Sequence, residues 1–308
     1  MKEMAANEGL DSEVMTKGTP VSAPPMGFKV IVREFLKDKV ALGAFILLTV
    51  LVISIFIGAA VIDLDEVMRI SLLDQYTPPN SQFWLGTDSG GRDIFGLLVV
   101  GARNSILIGV AVTLLTSTIG IVVGIVAGYY GGFIDNLLMR IVDFIMLLPT
   151  TMLIIVFVTI VPNYNVWTFI LIMSAFYWVG QARLIRSKAL SEGRRDYISA
   201  SKTMATPSFL IMFREMMPNL SSLIIVNVTL NFAANIGIET GLTYLGFGLP
   251  TSVPSLGTLV SYATSPDILE NKTWVWLPAS LVILVLMLCI NYVGQALKRA
   301  ADAKQRLG

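Results

Sequence analysis

The chain has 308 residues, 55% of them hydrophobic and only 14% charged, with a mean hydropathy of +0.73. That balance excludes an ordinary soluble globular domain and points to an integral membrane protein. The formal net charge is +1 with no basic stripe interleaved with aromatics, which sets nucleic-acid binding aside.

Taken in chain order, residues 1–28 are mixed polar and lack the apolar core of a secretory signal, so they are expected to form a mostly disordered cytoplasmic tail ahead of a transmembrane domain over 29–308. Val40 to Ile62 is an uncharged apolar run long enough to cross a hydrocarbon core of about 30 Å, and gives the first span, 40–62. The second, 105–130, runs into Gly-Tyr-Tyr-Gly-Gly, a turn signal. Phe144 to Ala182 is uncharged but too long for one crossing; Pro162-Asn163 breaks it, and spans three and four are set at 138–161 and 165–185. Spans five and six follow at 216–245 and 275–297. The expected fold is therefore all-α, with six transmembrane helices and both termini on one side.

Charge chooses the side. Under that topology the outer segments hold only Arg69, Arg92, Arg103 and Lys272 of the 22 Lys and Arg residues, so the positive-inside rule makes the termini and the 196–219 loop cytoplasmic. Trp84, Trp274 and Trp276 then fall near the outer interface. The outer segments 63–104 and 248–272 carry eight acidic residues between them, read singly as solvated charges and together as a lid or docking surface for an external partner.

The 196–219 loop is polar and helix-forming, unlike a simple connector. Thr206-Pro207 reads as an N-cap followed by proline at the first helical position, where the missing N–H costs nothing. Docking on a protein surface competes here with an amphipathic helix lying on lipid headgroups.

Several ordered blocks resemble the membrane permease subunits of binding-protein-dependent ABC importers, in particular the C-type subunit of dipeptide, oligopeptide and nickel systems. They are Arg33-Glu-Phe-Leu-Lys-Asp-Lys-Val-Ala-Leu-Gly43, Gly86-Thr-Asp-Ser-Gly-Gly-Arg-Asp-Ile-Phe95 with Gly101-Ala-Arg-Asn-Ser105, Arg140-Ile-Val-Asp-Phe-Ile-Met-Leu-Leu-Pro149 and Glu239-Thr-Gly-Leu-Thr-Tyr-Leu-Gly-Phe-Gly248. The resemblance covers the chain from about Phe28 onward and implies a type I importer permease fold. It makes 196–219 the loop that couples to a cytoplasmic ATPase: Tyr197, Ala200, Met217 and Pro218 fit the family's pattern, Ser201 stands at its second alanine, and Ala205 stands where glycine is usual. A glycine there closes a helix in the left-handed conformation, which costs a residue with Cβ roughly 1 kcal/mol. With Thr206-Pro207 available as punctuation, ordinary dihedrals are expected at Ala205. The resemblance also marks Gly86, Thr87, Asp88, Gly91, Arg92 and Asp93 as an outer-loop motif.

It further implies a homologous B-type permease partner, two cytoplasmic ABC ATPase subunits that bind ATP and Mg, an extracytoplasmic substrate-binding protein, and a place in a bacterial or archaeal plasma membrane. No Gly-x-x-x-x-Gly-Lys-Ser/Thr segment occurs, so no nucleotide cofactor is expected in this chain.

Within span five, Asn227, Asn231, Asn235 and Glu239 recur every fourth residue and form one polar stripe, which faces either a translocation pathway or another helix. Gly120, Gly124 and Gly128 align small residues for close helix packing. Arg140 and Asp143, one turn apart, are expected to pair. With no histidine and Cys289 alone in an apolar run, no His-based nucleophile system, metal site or internal disulfide is available. The expected function is a non-enzymatic permease subunit of a peptide importer; a nickel-complex or other small-solute importer and a stand-alone secondary carrier are the alternatives.

Overall fold

The computed structural model describes residues 27–162 and 164–307; most of the expected tail lies outside them. The described residues form an all-helical bundle. Its elements are α1 Gly27–Lys37, α2 Lys39–Val61, α3 Leu64–Val67, α4 Ile94–Tyr130, α5 Gly132–Leu147, α6 Thr150–Ile160, α7 Val166–Tyr177, α8 Val179–Glu192, α9 Asp196–Thr203, α10 Ser208–Leu210, α11 Met217–Tyr244, α12 Leu256–Ser261, α13 Pro266–Asn271 and α14 Leu277–Leu307. Among the described residues four helical stretches are each long and apolar enough to cross a membrane, and two bent pairs raise the number to as many as six.

The bends have a local cause in one case. The break between α5 and α6 turns the chain by 81°. It falls at Leu148-Pro149, where Leu148 adopts the extended ψ of 142° that a following proline demands. The sequence boundaries drawn at 138–161 pass straight through this corner. The other break, of 41°, lies between α7 and α8 at Trp178.

α4 is the centre of the bundle, and it begins well before the uncharged run that starts at Ser105. Its start is fixed by Asp93, whose carboxylate accepts from Phe95 N at 3.4 Å and Gly96 N at 2.9 Å. Arg103 and Asn104 therefore sit inside the helix, with Asn104 donating to Pro254 O at 2.8 Å. Parallel to α4 runs α8, packed along the glycine stripe: a Cβ at Gly120 would lie 2.6 Å from Gln181 Cβ, one at Gly124 2.7 Å from Ile185 Cβ, and one at Gly128 2.5 Å from Ala189 Cβ. Small residues here let two backbones touch, the role expected of them.

Contacts fix the remaining directions. Gly58 near the end of α2 faces Val99 near the start of α4, while Asp38 at the start of α2 pairs with Arg299 late in α14 at 2.7 Å. α2 and α11 thus run antiparallel to α4 and α14. One end of the bundle carries residues 63–93 and 248–275; the opposite end carries 193–216. Large apolar side chains on α2 and α5, such as Ile57, Val61, Phe133 and Leu147, are exposed on its flanks.

Candidate functional site

The 196–219 segment is clamped to the bundle by one buried cluster and a set of hydrogen bonds. Ile198 on α9 is fully buried in a cluster with Ile125 of α4, Ile185 and Ala189 of α8, and Ile211, Met212 and Met216. Around that anchor the polar groups are shared out. Tyr197 Oη donates to Glu192 Oε1 at 2.7 Å and accepts from Asn219 Nδ2 at 2.8 Å, and Ser201 Oγ donates to Glu215 Oε2 at 2.7 Å. Lys202 lies over the Tyr129 ring, 4.7 Å from its centroid. Burial, and secondly the Glu192 carboxylate beside it, push the Tyr197 hydroxyl up to about 12.

Residues Ile211–Met216 form a π-helical turn that runs directly into α11. Its wider register turns Ile211, Met212 and Met216 into the core while Glu215 reaches Ser201. Pro218 is the second residue of α11 but lies within the continuous helical stretch Ser208–Tyr244, so its missing N–H leaves a gap in the backbone ladder directly after the π-helical turn. Facing away from this clamp are Ala200, Met204, Ala205 and Phe209, all exposed.

Ala205 departs from expectation: its φ is +56°, in the left-handed region. The reason is a Schellman closure of α9, in which Ala205 N donates to Lys202 O at 3.1 Å and Thr206 N to Ser201 O at 3.1 Å. Those two bonds satisfy carbonyls that would otherwise be orphaned, and alanine accepts the strained conformation that glycine would take freely. Thr206-Pro207 does not supply the punctuation either. Pro207 itself is the N-cap of α10, with no side-chain capping bond, so the Thr206 cap and the proline at the first helical position are both corrected.

The polar stripe of α11 is engaged with neighbouring helices. Asn231 donates to Gln181 Oε1 of α8 at 2.8 Å, and Asn235 to Thr113 Oγ1 of α4 at 2.9 Å. Glu239, fully buried, accepts from Ser105 Oγ of α4 at 2.9 Å and from Thr243 Oγ1 at 3.1 Å. Ser105 Oγ in turn accepts from Leu256 N at 3.1 Å, which ties the stripe to α12. Asn227 alone bonds within its own helix, to Leu223 O at 2.9 Å.

The outer-loop motif is a closed clasp. Asp88, with no exposed surface, accepts from Gly90 N at 2.8 Å and Arg92 N at 2.9 Å through Oδ1, and pairs with the Arg92 guanidinium at 2.6 Å through Oδ2. Tyr262, from the 248–272 segment, donates to Asp88 Oδ2 at 2.8 Å and accepts from Arg92 at 2.8 Å. Burial and the adjacent Asp88 carboxylate raise the Tyr262 hydroxyl to about 12. Gly86 and Gly91 hold φ of +72° and +71°, and a Cβ on Gly91 would lie 1.9 Å from Ser71 O, so both positions require glycine. Thr87 bridges to Asp93 and takes a long 3.4 Å bond from Trp274 Nε1. Trp274 and Trp276 pack into the apolar cluster beneath the clasp, while Trp84 remains exposed.

Sequence reasoning missed Tyr262, because its partners Asp88 and Arg92 are far away in the chain and only the fold joins them. It also mispaired Asp143, which binds Arg183 of α8 instead of Arg140; α8 packs beside α5 and offers a better-placed guanidinium. A neighbouring pair, Arg186 with Asp135, repeats the α5–α8 link.

Residues 120–307 match the model of the binding-protein-dependent transport system inner membrane component family. The chain is 48% identical to the oligopeptide transport system permease protein OppC of Lactococcus lactis subsp. cremoris, over 89% of this chain and 94% of the relative. It is 32% identical to the protein of the same name from Bacillus subtilis, over 98% and 96%, and 35% identical to the dipeptide transport system permease protein DppC of that organism, over 89% and 85%. With this coverage and these identities, the chain belongs to the family of binding-protein-dependent transport system inner membrane components.

Proposed function

We propose that this chain is the C-type permease subunit of an ATP-driven peptide importer, crossing a bacterial or archaeal plasma membrane six times with both termini cytoplasmic. It pairs with a homologous permease, two cytoplasmic ABC ATPases and an extracytoplasmic binding protein, and carries out no catalysis of its own. The peptide cargo is supported by the names of the relatives, two for oligopeptides and one for dipeptides.

The observation that carries the coupling role is the clamp at 196–219. Ile198 is buried and Tyr197 and Ser201 are hydrogen-bonded, while Ala200, Met204, Ala205 and Phe209 face outward. A helix held that way transmits displacement of its outer face into α11 without bending, which is what a push from an ATPase requires. Asn231, Asn235 and Glu239 fasten α11 to α4 and α8, so a displacement of α11 moves the three helices together as one wall of the pathway. Gly86 to Asp93 form a largely buried clasp that fixes the shape of the outer loops on which a binding protein docks.

Replacing Ala200 by aspartate tests this reading in cells lacking the native gene. The variant should reach the membrane in normal amount, yet restore neither uptake of labelled peptide nor ATP hydrolysis stimulated by peptide and binding protein. Normal stimulation would refute docking at this face, and uptake of a nickel complex in place of peptide would refute the cargo.

A further inference from the structure

We infer that the cleft between α8, α11 and α14 binds an anionic phospholipid, with Lys188 and Lys298 on its phosphate and Leu184, Leu223, Val226 and Leu230 along its acyl chain. The inference needs only that these helices span a bilayer; it does not depend on the cargo or on ATPase docking.

Each helix turns one face to the cleft. Leu184 and Lys188 are one turn apart on α8, Leu223, Asn227 and Leu230 follow one side of α11, and Lys298 and Ala301 lie one turn apart on α14. The space they enclose is about 280 Å³. A water molecule occupies only about 30 Å³, so the cleft has room for a headgroup.

Charge gives the sign of the ligand. Among the described residues no acidic side chain lines the cleft and neither lysine forms an ion pair, although Arg183, Arg186, Arg195 and Arg299 nearby all do. Two lysines on the rim of one cleft give it a positive potential that favours an anion. Asn227, whose amide donates to Leu223 O at 2.9 Å, forms a neutral step between this rim and the apolar floor.

Position favours a lipid over a soluble anion. Lys188 is one turn from the end of α8 at Glu192, and Lys298 lies late in α14 next to Arg299, at the bundle end where α2 begins. Lysines near the ends of spans extend toward headgroup level, and basic pockets between spans take anionic headgroups there. The leucines and Val226 continue inward from that level, so an acyl chain has a wall to follow while a free phosphate would leave it bare.

The test uses the assembled transporter, released from nanodiscs of phosphatidylglycerol and phosphatidylcholine, with bound lipid counted by native mass spectrometry. Wild type should retain phosphatidylglycerol about tenfold or more over phosphatidylcholine; the Lys188→Gln/Lys298→Gln variant should lose that preference, and Lys188→Arg/Lys298→Arg should keep it. Equal retention of the two lipids by wild type, or undiminished preference in the glutamine variant, overturns the proposal. Displacement of the lipid by glycerol phosphate would make this a soluble-anion site, and displacement by an oligopeptide would make it part of the substrate route; either result overturns it too. If the glutamine variant fails to assemble, the wild-type lipid ratio and the two displacement experiments still decide.

Discussion

The two ends of the bundle are fastened by different chemistry. At the clasp, a buried carboxylate and a guanidinium neutralise each other and a phenol from a distant segment hydrogen-bonds to both, and two glycines in left-handed conformations bring the backbone close enough for this. At the 196–219 end the fastening is neutral or half-solvated: a buried apolar cluster of Ile198, Ile211, Met212 and Met216, hydroxyl bonds to Glu192 and Glu215, and a helix closure that strains an alanine. A buried charge network is all-or-none, since removing one member strands the rest, whereas the second arrangement loosens by degrees. The first suits a segment that keeps its shape, and the second is what the proposed coupling role of 196–219 requires, a segment that can shift.

Asp88→Ala is expected to have the largest effect. It leaves the largely covered Arg92 guanidinium and the Tyr262 hydroxyl without their acceptor and should cost about 3–5 kcal/mol. Thermal unfolding of the purified transporter and protease cleavage within 63–93 would report it. A loss under about 1 kcal/mol would mean the clasp is a solvated pair and the contrast between the ends is false.

Ile198→Ala removes the anchor at the other end and should cost about 3 kcal/mol, in the lower part of the range for such truncations because a surface segment can settle into the gap. Here the more telling readout is functional. Peptide-stimulated ATP hydrolysis should fall while the clasp keeps its wild-type resistance to protease. Parallel weakening of both ends would show that they are one cooperative unit.

The tyrosines give a matched pair with smaller effects. Tyr262→Phe removes bonds to two charged groups and should cost about 2 kcal/mol, and Tyr197→Phe about 1 kcal/mol. Both hydroxyls have folded values raised to about 12 from 10.0, so the folded state favours their neutral forms. Their contribution is complete below pH 10 and is lost as the pH climbs from 10 to 12. Wild type should therefore lose stability across that window faster than the double phenylalanine variant, as base titration of the unfolding midpoint would show. Equal slopes would mean that neither hydroxyl is held as described.

Much of this was legible in the sequence, and the failures have physical causes. The helical class, the glycine stripe and the helices of the 196–219 segment were readable because apolar runs, small-residue spacing and helix-forming polar stretches are local signals. The α5–α6 corner was also local, since Pro149 restrains Leu148, but the uncharged run drew the boundary through it. The start of α4 was hidden because Arg103 and Asn104 look like loop residues until Pro254 arrives to accept from one of them. Tyr262 and the Arg183 partner of Asp143 had no signal at all, since each depends on segments brought together only by packing.

Ala205→Gly carries the smallest effect and probes the 196–219 segment most directly. The left-handed conformation costs a residue with Cβ about 1–2 kcal/mol, while glycine adds roughly 0.4–1 kcal/mol of unfolded-state entropy. The net expectation is a gain of up to about 1 kcal/mol, with the bonds from Ala205 N and Thr206 N retained by the glycine. Ala205→Val should act in the opposite sense, because a branched side chain scarcely tolerates positive φ. Unfolding midpoints of the two variants, measured beside peptide-stimulated ATP hydrolysis, separate strain from contact. A stabilised glycine variant with unchanged hydrolysis makes the strain incidental to coupling. A stabilised variant with weakened hydrolysis makes the exposed methyl group part of the surface that the ATPase grips. If glycine brings no gain and valine no loss, the closure at +56° is not the conformation of the working transporter.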